Sequence, residues 1–348
     1  MNVTRSNTKA IQPLLAALRD FDEATVRAAL QQLMAPDAIV HMCHPFGDLA
    51  AEALYDTCFA PLYESMPDLE RRDTILVSGK TPEGNDWIGC CGSYIGTFAA
   101  PFLDIPPTGH LAHMRFHEFY RFVGGQIVEV QAIWDIPELM MQANAWPMVP
   151  SLGREWHTPG PITQDGLLDA TDREDRAQFC QTHVLQMLAA LVRHPAEPVE
   201  AMELERFWHL KMTWYGPAGI GTARGISGFR HWHQIPFLNA MPDRGQFPDE
   251  TTSHFFAEGD YVAVTGWPNM VQTVTDSGWM GIAPNDQKIE MRSLDFWRLD
   301  GDKIRENWVL IDLLDVYRQL GVDVFARLRE FNKARNIGPL NFPIGGRL

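Results

Sequence analysis

HMRFHEFYRFVGGQIVEVQAIWD, residues 113–135, returns later in the chain as EMRSLDFWRLDGDKIRENWVLID, residues 290–312. Asp312 lies 177 residues after Asp135 (312 less 135), and that offset holds through the whole segment without a gap. Met114/Met291, Arg115/Arg292, Phe119/Phe296, Gly124/Gly301, Glu129/Glu306 and Asp135/Asp312 are among the identical pairs. Glu118/Asp295 and Tyr120/Trp297 are conservative ones. So dense a match at one long spacing marks duplication of a domain-sized unit, because solenoids repeat every few tens of residues.

Working outward, the order of elements repeats too. In the first half, apolar residues at helical spacing predict helices over 11–18, 24–33 and 49–65, with a short strand over 38–42. Met66-Pro67-Asp68 breaks the last helix. Strands follow over 73–77, 86–97, 110–122 and 126–134, the final pair joined at Gly124-Gly125, a turn that needs residues tolerant of positive φ. The second half predicts a helix over 172–193, a strand over 207–214 and a helix over 226–239 that closes on Met241-Pro242-Asp243. Its strands fall over 251–256, 261–275, 288–299 and 303–310. Helices followed by a run of antiparallel strands make an α+β pattern. Residues 1–145 read as a first domain, the Pro- and Gly-rich 146–164 as a linker, 165–335 as a second domain, and 336–348 as a surface tail.

The 348 residues leave room for two domains, and a composition 45% hydrophobic and 21% charged lets each build a core. A formal net charge of −15 argues against nucleic acid or an anionic membrane as partner. The N-terminal stretch lacks the pattern of a secretory signal, and no apolar run is long enough to span a bilayer. Five cysteines, an odd number, do not form a disulfide framework and fit reduced thiols in a cytoplasmic protein.

Gly96-Thr97-Phe98, Ile105-Pro106-Pro107-Thr108-Gly109, Gly125-Gln126-Ile127-Val128-Glu129 and Trp134-Asp135 give the first half a resemblance to the SnoaL-like polyketide cyclases. These belong to the nuclear transport factor 2-like superfamily. The second half resembles the same family through Gly281-Ile282-Ala283-Pro284, Asp300-Gly301-Asp302-Lys303-Ile304, Glu306-Asn307-Trp308 and Asp312-Leu313-Leu314. The resemblance implies two tandem cystatin-like cones, each a curved antiparallel sheet wrapped around helices. It also implies a cyclase or isomerase that needs no metal or organic cofactor, with an aspartate at the end of the last strand as general base. That role falls on Asp135 and Asp312. The implied substrate is a small hydrophobic or aromatic carbonyl compound undergoing polyketide-like aldol cyclisation. The first half departs from the pattern at Gln131, where the second has Trp308.

Residues two apart in a strand share a face, which groups Glu306, Trp308 and Asp312, and likewise Glu129, Gln131 and Asp135. An aspartate beside an aromatic in a poorly hydrated pocket has a raised pKa and can take a proton from carbon flanked by carbonyls. The alternative is a helix cap. Asp135-Ile136-Pro137-Glu138 is close to a capping box with proline in the first turn, and Asp312-Leu313-Leu314-Asp315 is a weaker version. The second copy is favoured for chemistry, because it keeps Glu306 and Trp308 and its aspartate is less cap-like.

Glu118 and Asp295 are either pocket acids or members of ion pairs, the ion pair being favoured where arginines are abundant. His41 and His44 stand before Pro45-Phe46-Gly47 as candidates for the mouth of the first cone. Trp214 could line a pocket for a flat ligand. The histidines match no metal-ligand spacing. Three readings follow: a cyclase or isomerase, a non-catalytic small-molecule-binding protein, and a protein-interaction module. In each, the fused copies could pack as an intramolecular pseudo-dimer, with a homo-oligomer also open.

Overall fold

The computed structural model describes residues 3–276 and 278–333, so the tail over 336–348 lies outside the described residues. The first half opens with helices α1 (Val3–Arg19) and α2 (Glu23–Leu33), then strands β1 (Met34–Met42) and β2 (Gly47–Ala50). A helical stretch ending in α3 (Ala60–Ser65) leads to β3 (Glu70–Lys80), β4 (Asp86–Thr97), β5 (Leu111–Val123), β6 (Gln126–Trp134) and α4 (Ile136–Gln142). The second half begins with α5 (Glu174–Leu191), α6 (Leu204–Phe207), β7 (Trp208–Tyr215), β8 (Ala223–Arg224), α7 (Gly225–Phe229) and α8 (Ile235–Ala240). It continues through β9 (His254–Glu258), β10 (Tyr261–Thr265), β11 (Met270–Val274), β12 (Gln287–Met291), β13 (Ser293–Asp300) and β14 (Lys303–Ile311). Helices α9 (Leu313–Gln319) and α10 (Val324–Lys333) close it.

Local chemistry explains the elements. Asp22 caps α2 by accepting from the Thr25 amide, and Val26, Ala29, Leu30 and Leu33 bury one face of that helix. Gly124 and Gly125 take φ of 58° and 84° to turn β5 into β6. The sheets run β2-β1-β6-β5-β4-β3 and β8-β7-β14-β13-β10-β9, so the strand order is the same in both halves. In each, the first strand pairs parallel with the last (β1 with β6, β7 with β14). This is the expected pair of α+β cones.

The two sheets meet at residues related by the repeat. Phe119 packs on its own counterpart Phe296 with ring centroids 5.1 Å apart, and His117 Nδ1 lies 2.6 Å from the carbonyl oxygen of its counterpart Leu294. A Cβ at position 89 would fall 2.9 Å from the Phe119 ring and 3.0 Å from Phe296, so the glycine there leaves space for both rings.

Three expected elements differ. The helix over 49–65 begins later, because its first residues form β2 beside β1. The strand over 261–275 is cut at Gly266–Asn269, and β11 leaves to pair with β12 in a separate two-stranded sheet. Pro268 has no N–H for the ladder. At Gly266 a Cβ would sit 1.9 Å from the Thr252 carbonyl oxygen, which fixes glycine at the break. The Asn269 side chain takes over the lost pairing: its oxygen accepts from the Ser293 amide at 2.8 Å and its nitrogen donates to the Ser293 carbonyl at 2.6 Å. The strand over 288–299 is cut at Arg292 in the same way. The first half has no such break, and β4 runs unbroken against β3 and β5.

Replacing Phe296 with alanine removes a ring from a junction that both halves share. Phe296→Ala should cost about 3–5 kcal/mol in denaturant unfolding. A loss below about 1 kcal/mol would show that the halves do not depend on this contact.

Candidate active site

Burying a carboxylate inside an apolar cone demands donors. In the first cone the demand is met in full. Glu118, on β5, accepts from Tyr94 at 2.8 Å, Tyr120 at 2.6 Å and Trp134 at 2.8 Å, and forms an ion pair with Arg71. Arg71 also pairs with Asp73 at 2.9 Å and lies 4.0 Å over the Phe116 ring. Burial alone would push Glu118 up, but the Arg71 charge and the hydrogen bonds outweigh it and hold the carboxyl below its ordinary value. The space left beside this network is about 10 Å³, too little for a ligand.

In the second cone the acid remains while its partners do not. Asp295 is the counterpart of Glu118, but Trp297 replaces Tyr120 and brings no hydroxyl, and Ile311 replaces Trp134. Glu118 pairs with Cys90 and Asp295 with Val264; four residues beyond, Tyr94 is answered by Pro268, after β10 has ended. Counted from the shared Met-Pro-Asp turn, Gln246 stands at the place of Arg71 and Arg244 at that of buried Leu69. Ser293, in the place of Phe116, is the one side chain among the described residues that donates to Asp295, at 2.6 Å. The favoured ion-pair reading therefore holds for Glu118 and fails for Asp295, which has no salt bridge among the described residues.

A cavity of about 260 Å³ occupies this region of the second cone. Asp295, Arg244, Ser293 and Asn269 supply its polar wall, while Trp297, Phe255, Val264 and Leu188 are among its apolar lining. Gly245, Pro248 and Ser253 form an exposed rim. Burial pushes Asp295 up to about 7, against the Ser293 hydrogen bond and the Arg244 charge, which favour the anion. Arg244 has no hydrogen bond or salt bridge among the described residues and lies 5.8 Å from the Phe237 ring centre. Burial lowers its pKa, with Asp295 acting in the opposite direction. The turn that carries Arg244 is fixed by Asp243, which accepts from the Thr273 amide at 2.9 Å. Asp68 fixes the matching turn of the first half through Thr97.

Asp135 and Asp312 lie elsewhere, at the junction between the halves, and line none of the cavities described above. The Asp135 carboxylate accepts from the Ala218 amide at 2.9 Å, and Asp312 accepts from the His44 amide at 3.0 Å. Ala218 and His44 are themselves counterparts, each three residues past the strand position that pairs with Trp308 or Gln131. Each aspartate therefore holds the loop of the opposite half.

The capping expectation is reversed. Asp312 accepts from the Asp315 amide at 3.2 Å and caps α9, whereas Asp135 makes no capping bond. Arg115 explains the difference by drawing Asp135 into a 2.8 Å ion pair while also donating to the Tyr215 and Gly216 carbonyls. The counterpart Arg292 pairs with Asp315 instead. Without a direct cation, Asp312 is pushed up to about 7 by burial and by the Asp315 charge, against the His44 amide and Arg292.

The remaining candidates do not gather around one cavity. Glu306 pairs with Arg298 at 2.6 Å and accepts from Tyr215, and the Trp308 indole donates to Pro159 in the connecting segment at 2.9 Å. Gln131 accepts from Thr265 of the second half at 2.6 Å. His41 bonds Asp48 at 2.7 Å and stacks on Trp267 of the second half rather than lining the first cone. The His44 ring packs near Phe325, and burial lowers its pKa. Trp214 is buried in a stack with His233 at 4.0 Å. Arg244, Ser293 and Asn269 escaped the sequence reading. The signal available for them was the place-by-place difference from Leu69, Phe116 and the unbroken β4.

The raised pKa of Asp312 sets the sign of its effect on stability. The folded state binds this proton more tightly than the unfolded chain, so the contribution is present below about pH 4 and is lost as pH rises towards 7. Asp312→Asn stays neutral while keeping an oxygen acceptor. Its melting temperature relative to the parent should therefore climb between about pH 4 and pH 7. A difference that stays flat or falls over that range would contradict a buried, proton-retaining Asp312.

The family model for SnoaL-like polyketide cyclases matches residues 13–143 and again 182–320. AclR from Streptomyces galilaeus is 16% identical over 42% of this chain and 86% of its own, with a TM-score of 0.36. IdmH from Streptomyces antibioticus is 23% identical over 40% of this chain and 98% of its own, with a TM-score of 0.34. An NTF2-like protein from Burkholderia thailandensis is 21% identical over 40% and 96%, with a TM-score of 0.31. No curated protein matches the chain. With two matched segments that together span most of its length, the chain belongs to the SnoaL-like polyketide cyclase family.

Proposed function

We propose that the second cone is the working site and that it performs acid–base chemistry on a small aromatic carbonyl compound. The observation that carries this reading is Asp295: a carboxylate in a mainly apolar cavity, with a pKa raised to about 7 and, among the described residues, one side-chain donor and no salt bridge. Such a group is suited to taking a proton from carbon next to a carbonyl near neutral pH. The C–H electron pair becomes the enolate, whose carbon forms a bond to a second carbonyl of the same molecule. Asp295 returns the proton to the resulting alkoxide, so the ring closure is an isomerisation with no net change in atoms or electrons. Ser293 fixes one oxygen of the base, and the flat apolar walls orient an aromatic ring.

In this reading the first cone is a scaffold, its acid engaged by Arg71, and Asp135 and Asp312 hold the junction rather than act as bases. The units 1–145 and 165–335 form an intramolecular pseudo-dimer stitched by the segment 146–164. A non-catalytic binding protein is the second reading, supported by the cavity alone.

Solvent deuterium wash-in at the acidic carbon of benzoylacetone, followed by NMR, separates the two. The protein should accelerate exchange, with a rate rising through about pH 7. Asp295→Asn should reduce that acceleration by a factor on the order of 10²–10⁴, whereas Asp312→Asn should retain it. Equal acceleration by parent and Asp295→Asn, or its loss in Asp312→Asn with folding intact, would overturn the assignment.

A further inference from the structure

We infer that the ligand of the second cone carries a carboxylate and that Arg244 is its anchor. The inference rests on the second cone being the ligand site and adds the class of compound that fits it. Arginine presents a planar set of N–H donors that matches a carboxylate with two parallel hydrogen bonds. Arg71, Arg115 and Arg298, the arginines buried in the two sheets among the described residues, all have such a partner: Arg71 has Asp73 and Glu118, Arg115 has Asp135, and Arg298 has Glu306. Arg244 faces the cavity with its donors unmatched by any hydrogen bond or ion pair. Asp295 shares the cavity but is not within salt-bridge reach, and one of its oxygens is held by Ser293. His233 lies close enough to feel the Arg244 charge, and burial together with that charge keeps it neutral. Among the described residues no carboxylate other than Asp295 acts on the guanidinium, so the missing negative charge is assigned to the ligand.

Naphthoates form no enolate, so their binding reads only a charge already present on the ligand. A cation waiting unpaired in the resting cavity is matched by an anion already present on the bound molecule. With the carboxylate on Arg244, the apolar wall of Trp297, Phe255 and Val264 receives the ring of the acid.

Calorimetric titration with naphthoate and with methyl naphthoate at about pH 6 tests the claim on the full chain. The anion should bind the parent protein about tenfold or more tightly than the ester. In Arg244→Gln the preference should disappear through weaker naphthoate binding while ester affinity stays within about threefold. Arg244→Lys should retain part of it. Equal binding of acid and ester, or a preference that survives in Arg244→Gln, would overturn the carboxylate anchor and leave the cavity itself a ligand site. Binding of neither compound would overturn both.

Discussion

A carboxylate held at the centre of an apolar cone costs several kcal/mol of lost hydration unless donors replace the water. The two halves of this chain answer that constraint differently. Glu118 is surrounded by Arg71, Tyr94, Tyr120 and Trp134, and the network fills the space it occupies. Asp295 keeps the same sheet position with Ser293 as its donor, and a cavity of about 260 Å³ lies beside it. Structure and openness are thus alternatives at one site: Arg71, Tyr94 and Trp134, which satisfy the acid in the first cone, are answered by the smaller Gln246, Pro268 and Ile311 in the second. Duplication lets one chain hold both.

The identical aspartates have another physical basis. Asp135 and Asp312 receive backbone N–H groups from Ala218 and His44, so each half closes a loop of the other. Gln131 to Thr265, Ser78 to Glu258 and the Phe119–Phe296 contact extend the same junction. An interface built on repeat-related residues holds both copies under the same packing requirement. That requirement accounts for retention of the sequence pattern here, while the cone interiors are free to diverge. Arg115 engaged with Asp135, against Arg292 engaged with Asp315, shows the divergence reaching the junction as well.

The fold was legible because its determinants are local and repeated. Strand ends over 86–97 and 126–134 agree with β4 and β6, and the Gly124-Gly125 turn needed only positive φ. The broken strands were not legible from periodicity, since residues 261–275 alternate well enough to suggest one strand. What decides the break is Pro268 at a ladder position and an Asn269 side chain that replaces backbone pairing with Ser293. The site was legible only in part. Asp295 stood out as the partner of Glu118, but Arg244 comes from a turn far away in sequence, and its lack of a counter-ion is a property of three-dimensional placement. Parity correctly put Trp308 and Asp312 on one face; it could not reveal that this face meets the connecting segment and the other half rather than a cavity.

Direct titration of the Asp295 carboxyl is the measurement closest to the central claim, that one acid is satisfied and its counterpart is poised. In carbon-13-labelled protein, the Asp295 carboxyl resonance, assigned by its loss in Asp295→Asn, can be followed from about pH 4 to pH 9. A midpoint near 7 is expected, with Glu118 titrating below the ordinary glutamate value. A midpoint for Asp295 near the ordinary carboxylate value of about 4 would contradict a desolvated, unpaired acid in the second cone.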